Sequence, residues 1–230
     1  MNSLKQYVPN MITFTTLTCG MASIALAIEG YLNFAAVLIL VGHLLDAIDG
    51  GIARRLDVSS DFGKQLDSLV DIIIFGGAGS VLVWQHLAET SLYRWPYWIA
   101  GVIFVISSAY RLARYNISTG KTKQKESLGL TSSTSGAFIA LSVLADRAFE
   151  HHLFPDWIFP ILLIMVSLLM ISRIRFPELH VIFRRRRVGF AILSTSLIAA
   201  YWLTPQLVWL GLTTGYISFS VLRAGFRQIL

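Results

Sequence analysis

Long apolar runs recur along almost the whole chain, and they limit its possible folds more than any other feature. A transmembrane helix needs about 20 mostly apolar residues to cross a hydrocarbon core of roughly 30 Å. Eight such runs are legible, at 11–28, 34–54, 65–85, 96–115, 134–150, 157–172, 188–203 and 206–223. Of 230 residues, 55% are hydrophobic and only 14% are charged, against about 45–50% and 25% in soluble proteins. That balance argues against a water-soluble globule and rules out a disordered or collagen-like chain. A single cysteine, Cys19, leaves no disulfide framework and no cysteine-built metal site. The pattern predicts an all-α, polytopic integral membrane helix bundle, one domain over 1–230, with 203–206 a tight turn between its last two helices.

The net charge of +6 fits a topology signal better than a nucleic-acid partner. With the N-terminus in the cytoplasm, eight crossings put every lysine and arginine except Arg94 and Arg147 on the cytoplasmic side. Such an excess is the positive-inside rule. It predicts both termini in the cytoplasm and no nucleic-acid binding. Ala25-Leu26-Ala27 has the look of a signal-peptide cleavage site, but one nearby lysine and a long apolar run predict a retained first helix.

The acids are distributed unevenly. Six of the 13 fall between Asp46 and Asp71, and Asp46, Asp49, Asp67 and Asp71 sit in or against apolar runs. An unpaired carboxylate there costs a few kcal/mol, so such residues face a bundle interior or a water-filled cavity. A structural salt bridge, with Arg54 or Lys64, is the plain alternative for any one of them. Spacing makes the four a group. Asp46 and Asp49 lie about 60° apart around a helix, and Asp67 and Asp71 stack about one turn apart. The short connection from Arg55 to Lys64 returns the chain to the same level, so two antiparallel helices can aim all four at one another.

Four like charges repel, and two divalent cations would cancel them; oxygen ligands suit Mg²⁺ or Mn²⁺. Mg²⁺ commonly shares its shell with substrate phosphates, so the group predicts a phosphate-bearing substrate. Gly50, Gly51, Ala53 and Gly63 would let a ligand approach the backbone, and Arg54 offers a planar fork for phosphate oxygens. Each glycine would serve equally in helix packing. His43, one turn before Asp46, reads as a packed or hydrogen-bonded helix histidine rather than a ligand. Asp146, Glu150, His151, His152 and Asp156 read as a solvated loop on the far side.

Written out, Asp46-x-x-Asp49-Gly50-x-x-Ala53-Arg54, eight residues, then Gly63-x-x-x-Asp67-x-x-x-Asp71 resembles the signature of the CDP-alcohol phosphotransferase family. The resemblance implies transfer of a phosphoalcohol from a CDP-linked donor to an acceptor hydroxyl, with release of CMP. It implies that Asp46, Asp49, Asp67 and Asp71 hold metal, with Asp71 also the base. Asp46, Gly50, Ala53, Arg54, Gly63 and Asn10 would meet the CDP moiety. It further implies a six-helix core, here with two added C-terminal helices, and a homodimer.

Three further segments point within the family to members that use serine. Tyr7-x-Pro9-Asn10-x-x-Thr13, Arg111-Leu112-Ala113-Arg114-Tyr115-Asn116 and Ser172-Arg173-Ile174-Arg175-Phe176-Pro177 are similar to theirs. Asn10 reads equally as a helix N-cap after proline. Where those members have Gly-Leu-Pro-x-Pro, this chain has Gly129-Leu130-Thr131-Ser132-Ser133, with neither proline.

The expected reaction joins CDP-diacylglycerol, or an archaeal ether analogue, to L-serine at the cytoplasmic face of a prokaryotic cell membrane. A free amino acid's carboxylate calls for a cation, and Arg111 or Arg114 would supply it. The alternatives are another acceptor (glycerol 3-phosphate, inositol phosphate or choline) and, in a different class, a cation transporter. A transporter's acids belong near mid-membrane in interrupted helices, often in repeated halves. Here they crowd one boundary, and the chain shows no repeat. The tetra-arginine Arg184–Arg187 reads as a topology signal or a contact for anionic headgroups.

Overall fold

Helices account for almost every apolar run in the computed structural model, which describes residues 2–56, 60–88, 95–118, 126–149, 153–177 and 204–229. They are α1 (Asn2–Ile28), α2 (Leu32–Leu56), α3 (Asp61–Asp71), α4 (Gly79–His86), α5 (Trp95–Ser118), α6 (Ser132–Asp146), α7 (Ile158–Ile171) and α8 (Pro205–Ile229). A π-helical stretch, Ile72–Ala78, joins α3 to α4, so the two read as one interrupted rod. Five stretches are long and apolar enough to cross a membrane: Pro9–Ile28, Leu32–Gly51, Asp61–His86, Trp95–Ile117 and Pro205–Ala224. The fold is therefore an all-helical bundle of membrane-protein character. The expected run at 188–203 and the tetra-arginine lie outside the described residues.

Two helices differ from the sequence expectation in length. α6 and α7 have 15 and 14 residues, or about 22 Å at 1.5 Å per residue. α6 starts two residues early because the Thr131 hydroxyl caps it, accepting from Thr134 N at 3.3 Å. It stops at Asp146, which is buried rather than part of a solvated loop. The Asp146 carboxylate meets His86 Nε2 at 2.9 Å and accepts from Phe154 N at 2.7 Å. Those bonds pin the end of α4 to α6 and to the α6–α7 connection; His151 and His152 lie outside the described residues. From Thr134 to Asp146 every residue of α6 is buried, which makes it the core helix.

A two-stranded antiparallel ribbon, β1 (Glu126–Leu128) on β2 (Arg175–Pro177), pairs Ser127 with Phe176. It departs from the all-helix expectation and ties the entry of α6 to the exit of α7. Large apolar side chains such as Phe34, Leu44, Trp98, Ile106 and Leu168 point outward. Ser23, Ser107, Ser135 and Ser142 are buried, and the exposed hydroxyls of Thr15, Thr18 and Thr214 donate to carbonyls of their own helices, as a lipid solvent demands.

Glycines set the closest approaches. A Cβ on Gly20 of α1 would lie 2.9 Å from Ile74 Cβ, and one on Gly42 of α2 would overlap the tip of the same side chain. Ile74, in the π-helical stretch and fully buried, is thus a knob gripped by two helices. A Cβ on Gly136 of α6 would come within 2.7 Å of Phe75. Gly20→Ala should cost about 1–3 kcal/mol of stability through overpacking. Ile74→Ala should cost less in that background than alone, as read by thermal unfolding in detergent; strictly additive losses would contradict the knob.

Candidate metal and substrate site

The α1–α2 hairpin begins the site. α1 ends where Gly30 takes φ +86, a left-handed value that suits glycine, and Tyr31 N donates back to Leu26 O at 2.8 Å. α1 then lies against both α2 and α3, serving as a common wall for the two acid-bearing helices. Asn10 and Thr13 sit on that wall. Thr13 Oγ1 donates to Asp49 Oδ2 at 3.1 Å and to Pro9 O at 3.0 Å.

α3 is started by Ser60, whose Oγ accepts from Gly63 N at 3.0 Å. A Cβ on Gly63 would lie 3.1 Å from Ser60 Oγ and 3.3 Å from Asn10 Oδ1, so a glycine here brings α3 close to α1. Asn10 lies inside α1, which begins at Asn2, and the N-cap reading of Asn10 is corrected accordingly. Its carboxamide faces the start of α3 instead.

Asp46, Asp49 and Asp67 converge: one ligand oxygen from each lies within 4.8 Å of the other two. Asp49 is buried, and Asp46 and Asp67 are partly buried. Asp71 lies outside that trio but interacts electrostatically with all three of its members and with Arg111. It is only 7% exposed and stands at the last residue before the π-helical stretch. Lys64 pairs with the exposed Asp61 at 3.5 Å, so the salt-bridge alternative through Lys64 finds no support. Three oxygens from hard carboxylates at this spacing fit a hard divalent cation.

Gly50 and Gly51 follow Asp49 on α2, and a Cβ on Gly51, on the face of α2 away from Asp49, would meet nothing within 4 Å. Ala53 and Arg54 belong to the last turns of α2; their side chains lie outside the described ones. His43 packs edge-on to Phe75, with ring centroids 6.3 Å apart, in keeping with a packed histidine.

The two arginines of α5 part company. Arg114 Nη1 and Nη2 donate to Ile171 O, Leu128 O, Met170 O and Ser172 O at 2.7, 2.9, 3.3 and 3.2 Å. It caps the C-terminus of α7, where carbonyls lack intrahelical partners, and binds it to the ribbon. Gly129, at φ +79, makes room for it, since a Cβ there would sit 3.0 Å from Arg114 Nη2. Arg111, 6% exposed, interacts electrostatically with Asp71 and donates to Ser132 Oγ at 3.2 Å and Ser127 Oγ at 3.4 Å. Asn116 Nδ2 donates to Ser68 Oγ at 2.9 Å, fastening the end of α5 to α3. Thr13 and Ser132 stand in segments compared with the family, but the sequence does not foretell their hydrogen bonds to Asp49 and Arg111; nothing in it singles out Ser127.

The fold and site together are a helical bundle of membrane-protein character with an acidic trio that could hold a divalent cation and one buried arginine, Arg111, nearby. The profile of the CDP-alcohol phosphatidyltransferase family matches residues 6–172, and the chain belongs to that family. It is 29% identical over 225 residues to a CDP-diacylglycerol–serine O-phosphatidyltransferase of Helicobacter pylori strain ATCC 700392 / 26695, covering 96% of this chain and 92% of the relative. An archaetidylserine synthase of Methanothermobacter thermautotrophicus is 33% identical across 74% of this chain and 69% of its own length. A CDP-diacylglycerol–serine O-phosphatidyltransferase of Bacillus subtilis strain 168 is 31% identical, with 75% and 90% covered. The profile stops at Ser172, just past α7, so α8 lies beyond it.

Charge-assisted bonds of the Arg114 kind contribute about 1.5–3 kcal/mol each. Arg114→Met should therefore lower the unfolding midpoint sharply, and Arg114→Lys should recover only part of it because the planar fork is lost. Thermal unfolding of the purified variants checks this, and an unchanged midpoint for Arg114→Met would remove its capping role.

Proposed function

We propose that the chain transfers the phosphatidyl group of CDP-diacylglycerol, or the equivalent group of an ether-lipid analogue, to the hydroxyl of L-serine, giving phosphatidylserine and CMP. The convergence of Asp46, Asp49 and Asp67 beside Asp71 carries this reading, and the relatives, serine O-phosphatidyltransferases and an archaetidylserine synthase, support the acceptor. In this reading the enzyme is a homodimer of eight-span subunits in a prokaryotic cytoplasmic membrane. Both termini and the site face the cytoplasm.

Asp46, Asp49 and Asp67, with Asp71, would hold Mg²⁺ or Mn²⁺, two ions balancing four carboxylates. When bound, such ions supply Lewis-acid polarisation of a diphosphate and stabilise the charge of the leaving phosphate. Thr13 fixes the rotamer of Asp49, an outer contact of the kind that orients metal ligands. Gly50, Ala53, Arg54, Gly63 and Asn10, together with Asp46, line the CDP moiety. Small residues admit its backbone-close approach there, and Arg54 meets phosphate oxygens. Asp71 takes the proton of the serine hydroxyl as its oxygen attacks the lipid-linked phosphorus. The P–O bond to CMP breaks as the new ester forms, and no covalent enzyme intermediate is needed. Arg111 meets the carboxylate of serine, while Arg114 keeps its structural duty.

Purified protein should release CMP from CDP-diacylglycerol and serine, lose that activity in EDTA and regain it with Mn²⁺ or Mg²⁺. Asp71→Asn should lower kcat by about 100-fold or more, the scale of a lost general base, with the fold intact. Thr13→Val should raise the Mn²⁺ concentration for half-maximal turnover by roughly 10-fold. Faster turnover with inositol phosphate or choline than with serine would overturn the acceptor. Cation flux without CMP release would favour a transporter, a reading that no observation here supports.

A further inference from the structure

Strand β2 and helix α8 both lie beyond Ser172, where the family profile ends. α8 is nevertheless built into the bundle. It lies against α6 and β2, and its two faces differ. Ile217 and Ser220 are buried on the inner face, while Phe219 and Leu222 on the opposite face are 62% and 63% exposed. A single helix can therefore meet lipid on one side and brace the protein on the other.

What it braces is the ribbon. Strands of three residues cannot hold a two-stranded ribbon in shape, since even longer isolated hairpins are marginal. Among the described residues β2 packs chiefly on β1 and α8. Phe176 of β2 is fully buried and meets Tyr216 of α8, with ring centroids 6.2 Å apart and planes tilted by 47°, within the range of an aromatic pair. Register ties Phe176 to the site. It stands opposite Ser127, and directly opposed residues share a ribbon face. Ser127 Oγ in turn accepts from Arg111 Nη2 at 3.4 Å. The pairing runs on toward α6, with Gly129 N donating to Ile174 O at 2.8 Å, just before the Thr131 cap and Ser132, the other partner of Arg111.

We infer that α8 is a working part of the transferase: Tyr216 braces Phe176, and through the ribbon this holds Ser127 and the start of α6 in place around Arg111. Tyr216 and Phe176 are positioning residues, remote from the reacting atoms. This rests on the serine-transfer reading, with Arg111 as the acceptor contact. Without the Tyr216 ring β2 can shift, and a displacement of about 1 Å arising far from the chemistry can cost up to about 100-fold. The acid trio stands on α2 and α3, whereas the ribbon joins α6 to α7. Loss of the brace should therefore weaken the acceptor side and spare the donor and metal side.

Kinetics of the full-length protein with CDP-diacylglycerol, L-serine and Mn²⁺ provide the test. Tyr216→Ala should raise the KM for serine about 10-fold. Its kcat, its KM for CDP-diacylglycerol and its Mn²⁺ binding should stay near the wild-type values. Tyr216→Phe, which keeps the ring, should behave as wild type, as should Phe219→Ala on the outer face of α8. Tyr216→Leu, which keeps apolar volume, should raise the serine KM about 3-fold and serves where Tyr216→Ala does not fold. Phe176→Leu should act in the same direction. Combined with Tyr216→Leu it should cost less than the product of the two single effects, because residues in contact are not additive. An unchanged serine KM in Tyr216→Ala, or in Tyr216→Leu where the former does not fold, overturns the inference and leaves serine transfer standing. So does an equal loss in Tyr216→Phe, strict multiplication of the two single effects, or a rise in serine KM matched by equal loss of CDP-diacylglycerol and Mn²⁺ binding. Wild-type protein that releases no CMP with serine overturns the transfer reading, and this inference with it.

Discussion

Negative charge held together in a medium that cannot solvate it is the constraint on which this structure depends. Carboxylates inside an apolar bundle are costly unless countercharge or water meets them. This chain gathers three of them within 4.8 Å and sets a fourth beside them. The surrounding architecture serves that placement. α1 lies against both acid-bearing helices, Thr13 Oγ1 donates to Asp49, and Gly63 lets α3 approach Asn10. The glycines that grip Ile74 clamp the π-helical stretch that follows Asp71.

The bundle divides its polar groups between two ends. At the acid end, the Thr13 hydroxyl donates to Asp49 and the Arg111 guanidinium acts electrostatically on Asp71. At the other, His86 and Asp146 close on each other and on Phe154 N, nearly sealed from solvent. The closed pair holds α4 and α6 together. The core helix α6 links the ends: its first turn meets Arg111 and its last residue meets His86. An error in packing along α6, at Gly136 against Phe75, would therefore be felt at both.

Much of this was legible in the sequence because its signals are local. Apolar run length located the helices, and spacings of three and four put Asp46 with Asp49 and Asp67 with Asp71 on shared faces. What the sequence hid depends on contacts between distant residues. The His86–Asp146 bond joins residues 60 apart, so Asp146 read as a loop residue. The ribbon pairs three-residue strands separated by two helices, too short for any alternation to show. The start of α6 was masked by its serines and threonines, which weaken helical patterning but here cap the helix and meet Arg111. Arg111 and Arg114 are indistinguishable by spacing; only the carbonyls at the end of α7 separate their duties.

The central claim is that Asp46, Asp49 and Asp67 act as one cation-binding unit. Electron paramagnetic resonance of Mn²⁺ titrated into the purified full-length protein tests it most directly, because it needs no substrate. A saturable bound signal in wild type, weakened at least about 10-fold by Asp46→Asn, Asp49→Asn or Asp67→Asn singly, is the predicted result. Mn²⁺ binding that survives all three substitutions undiminished would contradict the account.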